Sequence, residues 1–157
     1  MNITLLKTSA ALVGMLVAFA GSALAQEQPA QNGGVCSTTT LKGGYGYTST
    51  GTLLPAYFPP SLAFLAGPFG EEGRQTFDGM GNTNGVASLS TNGNIVQGVS
   101  IYGTYVVHRD CTGSMTLQIP SLQAIVHMDF VIDHHGTEIR ALSTDANVVE
   151  NRDYRKQ

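Results

Sequence analysis

The chain has 157 residues, with eight basic and eleven acidic side chains and a formal net charge of −3. That mild acidity is spread along the chain and leaves no basic stripe to hold phosphates, so nucleic acid is not an expected partner. Only 12% of the residues are charged, whereas glycine alone supplies 19. Together with abundant Thr, Ser and Asn, this balance fits β-structure better than disorder or a helical bundle.

Residues 1–25 read as a cleavable signal peptide. Lys7 is their only charge, an apolar stretch runs from Thr8 to Ala20, and Ala23-Leu24-Ala25 supplies the small-x-small site before Gln26. A membrane anchor needs about 20 apolar residues, and Gly21-Ser22 interrupts this run too early. The expected location is therefore the periplasm or the extracellular space, with no stable membrane insertion after cleavage. Loss of Lys7 would leave seven basic and eleven acidic residues. Both cysteines, Cys36 and Cys111, lie beyond the cleavage site, and in an oxidising compartment they most simply pair with each other. Closing so long a loop stabilises a fold by roughly 4 kcal/mol in the chain-entropy model.

Residues 26–40 are polar, with Pro29 and Gly33-Gly34, and read as a flexible lead-in. The first strand is expected over 41–49, with Leu41, Gly43, Tyr45, Tyr47 and Ser49 on one face and Gly44 and Gly46 on the other. Two glycines on one face suggest a bend or a closely passing backbone. Residues 53–68 carry four prolines but also Leu53, Leu54, Tyr57, Phe58, Leu62, Phe64 and Leu65. Such a segment either plugs one end of the core or forms a hydrophobic lid over it.

From Arg74 the turn signals become regular. Strands are expected over 75–77, 85–90, 95–108, 114–119, 122–133 and 138–144, with a last short one at Val148-Val149 and a tail over 151–157. Asn92-Gly93 is a strong hairpin signal between two of them. The fold class that follows is all-β, an antiparallel up-and-down meander of seven or eight strands over 41–150 closing into a small barrel, with a β-sandwich as the alternative. A two-residue turn at His134-His135 would set Asp129 opposite Arg140 and avoid facing Asp133 with Glu138.

Leu41-Lys42-Gly43-Gly44-Tyr45-Gly46-Tyr47, Thr76-Phe77-Asp78-Gly79-Met80-Gly81-Asn82, Gly103-Thr104-Tyr105-Val106-Val107 and Asp110-Cys111-Thr112-Gly113-Ser114 together carry a resemblance. They look like small secreted bacterial β-barrel proteins of unassigned function, which are similar to the allene oxide cyclase barrel and, more distantly, to calycins such as lipocalins. The resemblance implies a small barrel with an apolar cavity and places no catalytic residue.

No Gly-x-Ser-x-Gly or His-Glu-x-x-His motif occurs, and no cofactor is implied. His127, Asp129, Asp133, His134 and His135 form the densest polar cluster and read as solvated hairpin residues, not a metal site; His108-Arg109-Asp110 reads as a charged turn. Tyr45, Tyr47, Phe77 and Tyr105 on strands, with Phe58 and Phe64 from the 53–68 segment, are the candidate ligand-binding residues. They either line a cavity or fill the core. Three functions compete: a non-catalytic exported barrel binding a small hydrophobic ligand, a cyclase or isomerase acting on an apolar substrate, and an envelope or matrix protein that presents loops.

Overall fold

In a computed structural model that describes residues 35–157, eight antiparallel strands close into a single barrel in which every strand pairs with its sequence neighbours. The strands are β1 (Lys42–Leu53), β2 (Gly67–Asp78), β3 (Asn82–Thr91), β4 (Asn94–Val107), β5 (Thr112–Ile119), β6 (Ala124–Asp133), β7 (Glu138–Ser143) and β8 (Val148–Lys156). The sandwich alternative is excluded because β1 pairs with β8, from Leu53 opposite Val148 to Tyr45 opposite Lys156. Residues 151–157, expected to be a tail, instead carry most of that closing strand. The signal-peptide segment 1–25 lies outside the described residues, as does most of the 26–40 lead-in.

Alternation decides which side chains fill the interior. Tyr45, Tyr47, Ser49 and Leu53 point inward from β1, while Val126, Met128, Phe130 and Ile132 do so from β6, as their spacing required. Outside, His127 and Asp129 are exposed. The Asn92-Gly93 hairpin forms as expected, with both residues at positive φ (45° and 80°) and Thr91 facing Asn94. Gly44 and Gly46 do not mark a backbone approach: a Cβ there would meet only the side-chain ends of Arg74 and Gln157. The tightest approach among the described glycines is at Gly51, where a Cβ would fall 1.9 Å from the Val149 carbonyl oxygen and 2.8 Å from the Phe69 ring. Only glycine fits where β1 pairs with β8 beneath that ring.

The two ends of the barrel are finished differently. At one end Phe77 stands edge-on to Tyr45, Tyr105 and Tyr154, with ring centroids 5.3, 5.1 and 5.9 Å away. The other end is covered by the segment between β1 and β2, which forms two short 3₁₀ turns, Pro55–Tyr57 and Pro60–Leu65. Cys36 and Cys111 form a disulfide, Cα–Cα 5.0 Å, tying the chain ahead of β1 to the β4–β5 turn. In that turn the Asp110 carboxylate accepts from the Thr112 amide and hydroxyl at 3.0 and 2.7 Å, so the charged His108-Arg109-Asp110 stretch is turn chemistry.

The β6–β7 register departs from expectation by two residues. Arg140 faces Val131, and Asp133 faces Glu138. The reason is the turn, which spans four residues: His134, His135 and Gly136 all take positive φ (50°, 58° and 88°). The buried Gly136 carbonyl then accepts a 2.5 Å hydrogen bond from the Tyr45 hydroxyl. Anchoring the turn to the barrel end outweighs the like-charge facing, which is relieved by flanking charges. Asp133 bonds Arg140 at 2.7 Å, and Glu138 lies 3.6 Å from His134 and 3.9 Å from Arg155. Asp129 is therefore not the partner of Arg140.

Candidate functional site

Directly opposite pairs of β1 and β8 stack in layers through the barrel: Tyr47 with Tyr154, Ser49 with Arg152, Gly51 with Glu150, and Leu53 with Val148. Period-two alternation thus brings Glu150, Arg152 and Tyr154 inside on β8, and Glu71 joins them from β2. Charged groups rarely enter a core unpaired, and these are tied together. Arg152, 1% exposed, donates from Nη2 and Nε to Glu150 Oε1 at 2.6 and 3.0 Å. Its Nη2 also lies 3.4 Å from Glu71 Oε1. The Ser49 hydroxyl donates to Glu150 Oε1 at 2.7 Å, and the Tyr47 hydroxyl donates to Glu71 Oε1. The guanidinium carbon stands 4.6 Å over the centre of the Tyr47 ring. All the carboxylate contacts fall on Oε1, and Arg152 Nη1, although buried, has no hydrogen-bond partner in the protein.

Electrostatics in this layer follow from its burial. Burial alone opposes the charge on Arg152, but Tyr154, Glu150 and Glu71 outweigh it and hold the guanidinium protonated, above its usual range. Burial likewise raises Tyr47, Tyr57, Tyr45 and Tyr105, and pushes Tyr154 up to about 12 from a usual 10.0. A group whose folded pKa is raised contributes stability that is complete below its unfolded value and is lost as pH rises through the folded one. Alkaline titration should therefore show stability falling above pH 10, through about 12 for Tyr154. Tyrosinate absorbance from the buried rings should appear together with loss of the β-sheet signal in circular dichroism; ionisation of all six tyrosines with the sheet intact would contradict this burial.

Above the charged layer lies a cavity of about 30 Å³ lined by Glu71, Glu150 and Arg152 on one side and by Phe58, Leu122 and Val126 among others. A space of this size holds about one or two water molecules. A much larger concavity among the described residues, about 930 Å³, lies instead on the outside of β5–β8. Its charged lining residues Asp129, Arg140 and Asp153 are exposed, so it is an open depression without a desolvated polar group and is the weaker candidate.

The six aromatic residues singled out in the sequence separate into three groups. Tyr45, Phe77 and Tyr105 fill the closed end, where the Tyr105 hydroxyl also donates to the Leu41 carbonyl at 2.9 Å. Tyr47 belongs to the charged layer, and Phe58, buried, lines the cavity. Phe64 is 59% exposed on the covering segment and reaches neither. The structure does not bring the histidines together: His127 Nδ1 contacts Asp145 at 2.7 Å, while His134 and His135 occupy the β6–β7 turn. Among the described residues no three His, Cys, Asp or Glu side chains are grouped to hold a metal ion. Ser49, Glu71, Glu150 and Arg152 were not anticipated, although Val148, Glu150, Arg152 and Tyr154 do alternate at strand spacing.

No protein-family model matches the chain, and no curated protein matches it. Two solved structures are similar in fold. One redesigned β-barrel has a TM-score of 0.54 and 17% identity, covering 76% of this chain and 94% of its own. A second redesigned β-barrel, mFAP1, bound to DFHBI, has a TM-score of 0.50 and 17% identity, covering 76% of this chain and 97% of its own. At that identity the likeness is one of architecture: the chain is a closed eight-stranded up-and-down β-barrel.

Proposed function

We propose that this chain is an exported, non-catalytic barrel that binds a small hydrophobic molecule at the end covered by residues 54–66. The observation that carries the reading is the cavity there, apolar above and charged below. Its present volume is too small for a ligand, so the molecule takes the space of the Phe58 ring when the covering segment lifts. Three hydrogen bonds anchor that segment at its two ends: the Leu54 amide donates to the Asn147 carbonyl at 2.8 Å, the Thr91 hydroxyl to the Leu65 carbonyl at 2.7 Å, and the Asn92 side-chain amide to the Phe64 carbonyl at 3.3 Å. Between them, among the described residues, hydrogen bonds of residues 55–63 stay within the segment. Elements so loosely tied open at the low end of the stability range. A barrel of the same architecture, mFAP1, holds DFHBI. The disulfide suits an oxidising compartment, consistent with export. Exported protein should begin at Gln26 on N-terminal sequencing; retention of Met1 would contradict cleavage.

A second reading, a cyclase or isomerase, draws on the polar groups that reach the cavity. It ranks below binding because the Tyr47 proton is already given to Glu71, and Ser49 and Arg152 engage Glu150.

Binding of the neutral fluorophore N-phenyl-1-naphthylamine tests the proposal. Wild-type protein should bind it. Phe58→Ala should lower stability by about 2–4 kcal/mol, near the lower range for a buried Phe→Ala change. The same variant should bind the fluorophore more tightly, since the ring no longer competes for the site. Phe64→Ala should alter neither property. A Phe58→Ala variant that is destabilised without gaining affinity would make the segment a plug, and absence of binding to either protein would remove the ligand reading.

A further inference from the structure

We propose, resting on that ligand-binding reading, that the site selects a neutral apolar molecule carrying a hydroxyl group, whose oxygen accepts from Arg152 Nη1 and whose proton is donated to Glu71 or Glu150. Three observations converge on this chemistry. The first is the unused donor. Arg152 is 1% exposed and lines the cavity, and Nη2 and Nε are engaged while Nη1 has no protein partner. A buried donor of this kind favours an occupant with an acceptor.

The second is the charge balance. Inside the barrel two carboxylates already face one guanidinium, and among the described residues no other charged side chain is buried with them. A ligand carboxylate would satisfy Nη1 but add a third negative charge to a desolvated layer. An ammonium group would suit the net charge, yet it has no acceptor to offer Nη1 and would stand beside the guanidinium. A neutral group avoids both conflicts.

The third is the arrangement of acceptors. Every contact made by Glu71 and Glu150 falls on Oε1, so Oε2 of either remains to receive a proton donor. A hydroxyl accepts and donates at one atom and so answers both needs from the charged layer. The apolar remainder then extends away from Arg152, past Val126 and Leu122 into the place of Phe58.

Three chains of equal length, n-decanol, decanoate and decylamine, should be compared as competitors of N-phenyl-1-naphthylamine. On wild-type protein decanol should displace the fluorophore at least about tenfold more strongly than either charged analogue. Glu71→Gln removes one negative charge and should reduce the preference for decanol over decanoate by about tenfold. Glu150→Gln repeats the test at the other carboxylate, so that misfolding of one variant leaves the second to decide. Decanoate or decylamine competing as well as decanol on the wild type, with the fluorophore bound, would overturn this selectivity and leave hydrophobic binding standing. Failure of the fluorophore itself to bind would instead remove the binding reading beneath it.

Discussion

Replacing Arg152 with methionine should lower the unfolding free energy by about 3–5 kcal/mol, the range for breaking a buried ion pair from one side. The guanidinium neutralises Glu150 at 2.6 Å and approaches Glu71 at 3.4 Å. Methionine fills the space of the aliphatic stem but leaves both carboxylates facing each other in a desolvated layer. Joint replacement of Glu71 and Glu150 by leucine in the Arg152→Met background should recover most of the loss, because an apolar layer needs no counter-charge. Urea denaturation of the three proteins measures both effects. A loss below about 1 kcal/mol in the single variant, the scale of an exposed pair, would show that the carboxylates reach water. The contrast with Arg140–Asp133 is informative, since that pair lies on the outer face and should respond to added salt far more than the interior network does.

The second large effect is expected at the disulfide. Cys36 and Cys111 are 75 residues apart, and a loop of that length confines the unfolded chain enough to stabilise the fold by about 4 kcal/mol. Replacing both with alanine should therefore lower the thermal midpoint by more than about 10 °C for a domain of this size. The bond also ties the approach to β1 to the β4–β5 turn, where Cys111 itself adopts a positive φ of 66°. Alanine at that position keeps the strain and loses the tether, so neither cysteine is expected to tolerate replacement alone. Thiol titration of unfolded, unreduced protein should find no free thiol. Coincident melting curves with and without reductant would contradict the stabilising role.

Much of the barrel was legible in residue order. Alternation over residues 122–133 set Val126, Met128, Phe130 and Ile132 on one apolar face, the face that the barrel buries, and Asn92-Gly93 marked its hairpin, because both depend on neighbours within a few positions. The β6–β7 register was misread for the opposite reason. Local charge pairing favoured a two-residue turn, whereas the actual turn is held by a hydrogen bond from Tyr45, which lies 91 residues away in sequence. The closing strand was placed at Val148-Val149, but its continuation to Lys156 was missed in a similar way. Asn151, Arg152, Asp153, Arg155 and Lys156 look like a solvated tail until β1 and β7 are present on either side to pair with them.

The candidate site follows the same division. Sequence left the singled-out aromatic residues either lining a cavity or filling the core; packing sent Tyr45, Phe77 and Tyr105 to the filled end and, of those six, placed Phe58 at the cavity, with Tyr47 in the layer beneath. The sequence by itself determined that the domain is all-β and meander-like, that its two cysteines pair, and that an apolar, proline-rich segment covers something. Each of these rests on composition, periodicity or a count of two. Tertiary structure alone decided that Glu71, Glu150 and Arg152 face inward, because the Glu150–Arg152 pair on β8 suits either face of a strand, and only barrel closure brings Glu71, Ser49 and Tyr47 against it from β2 and β1.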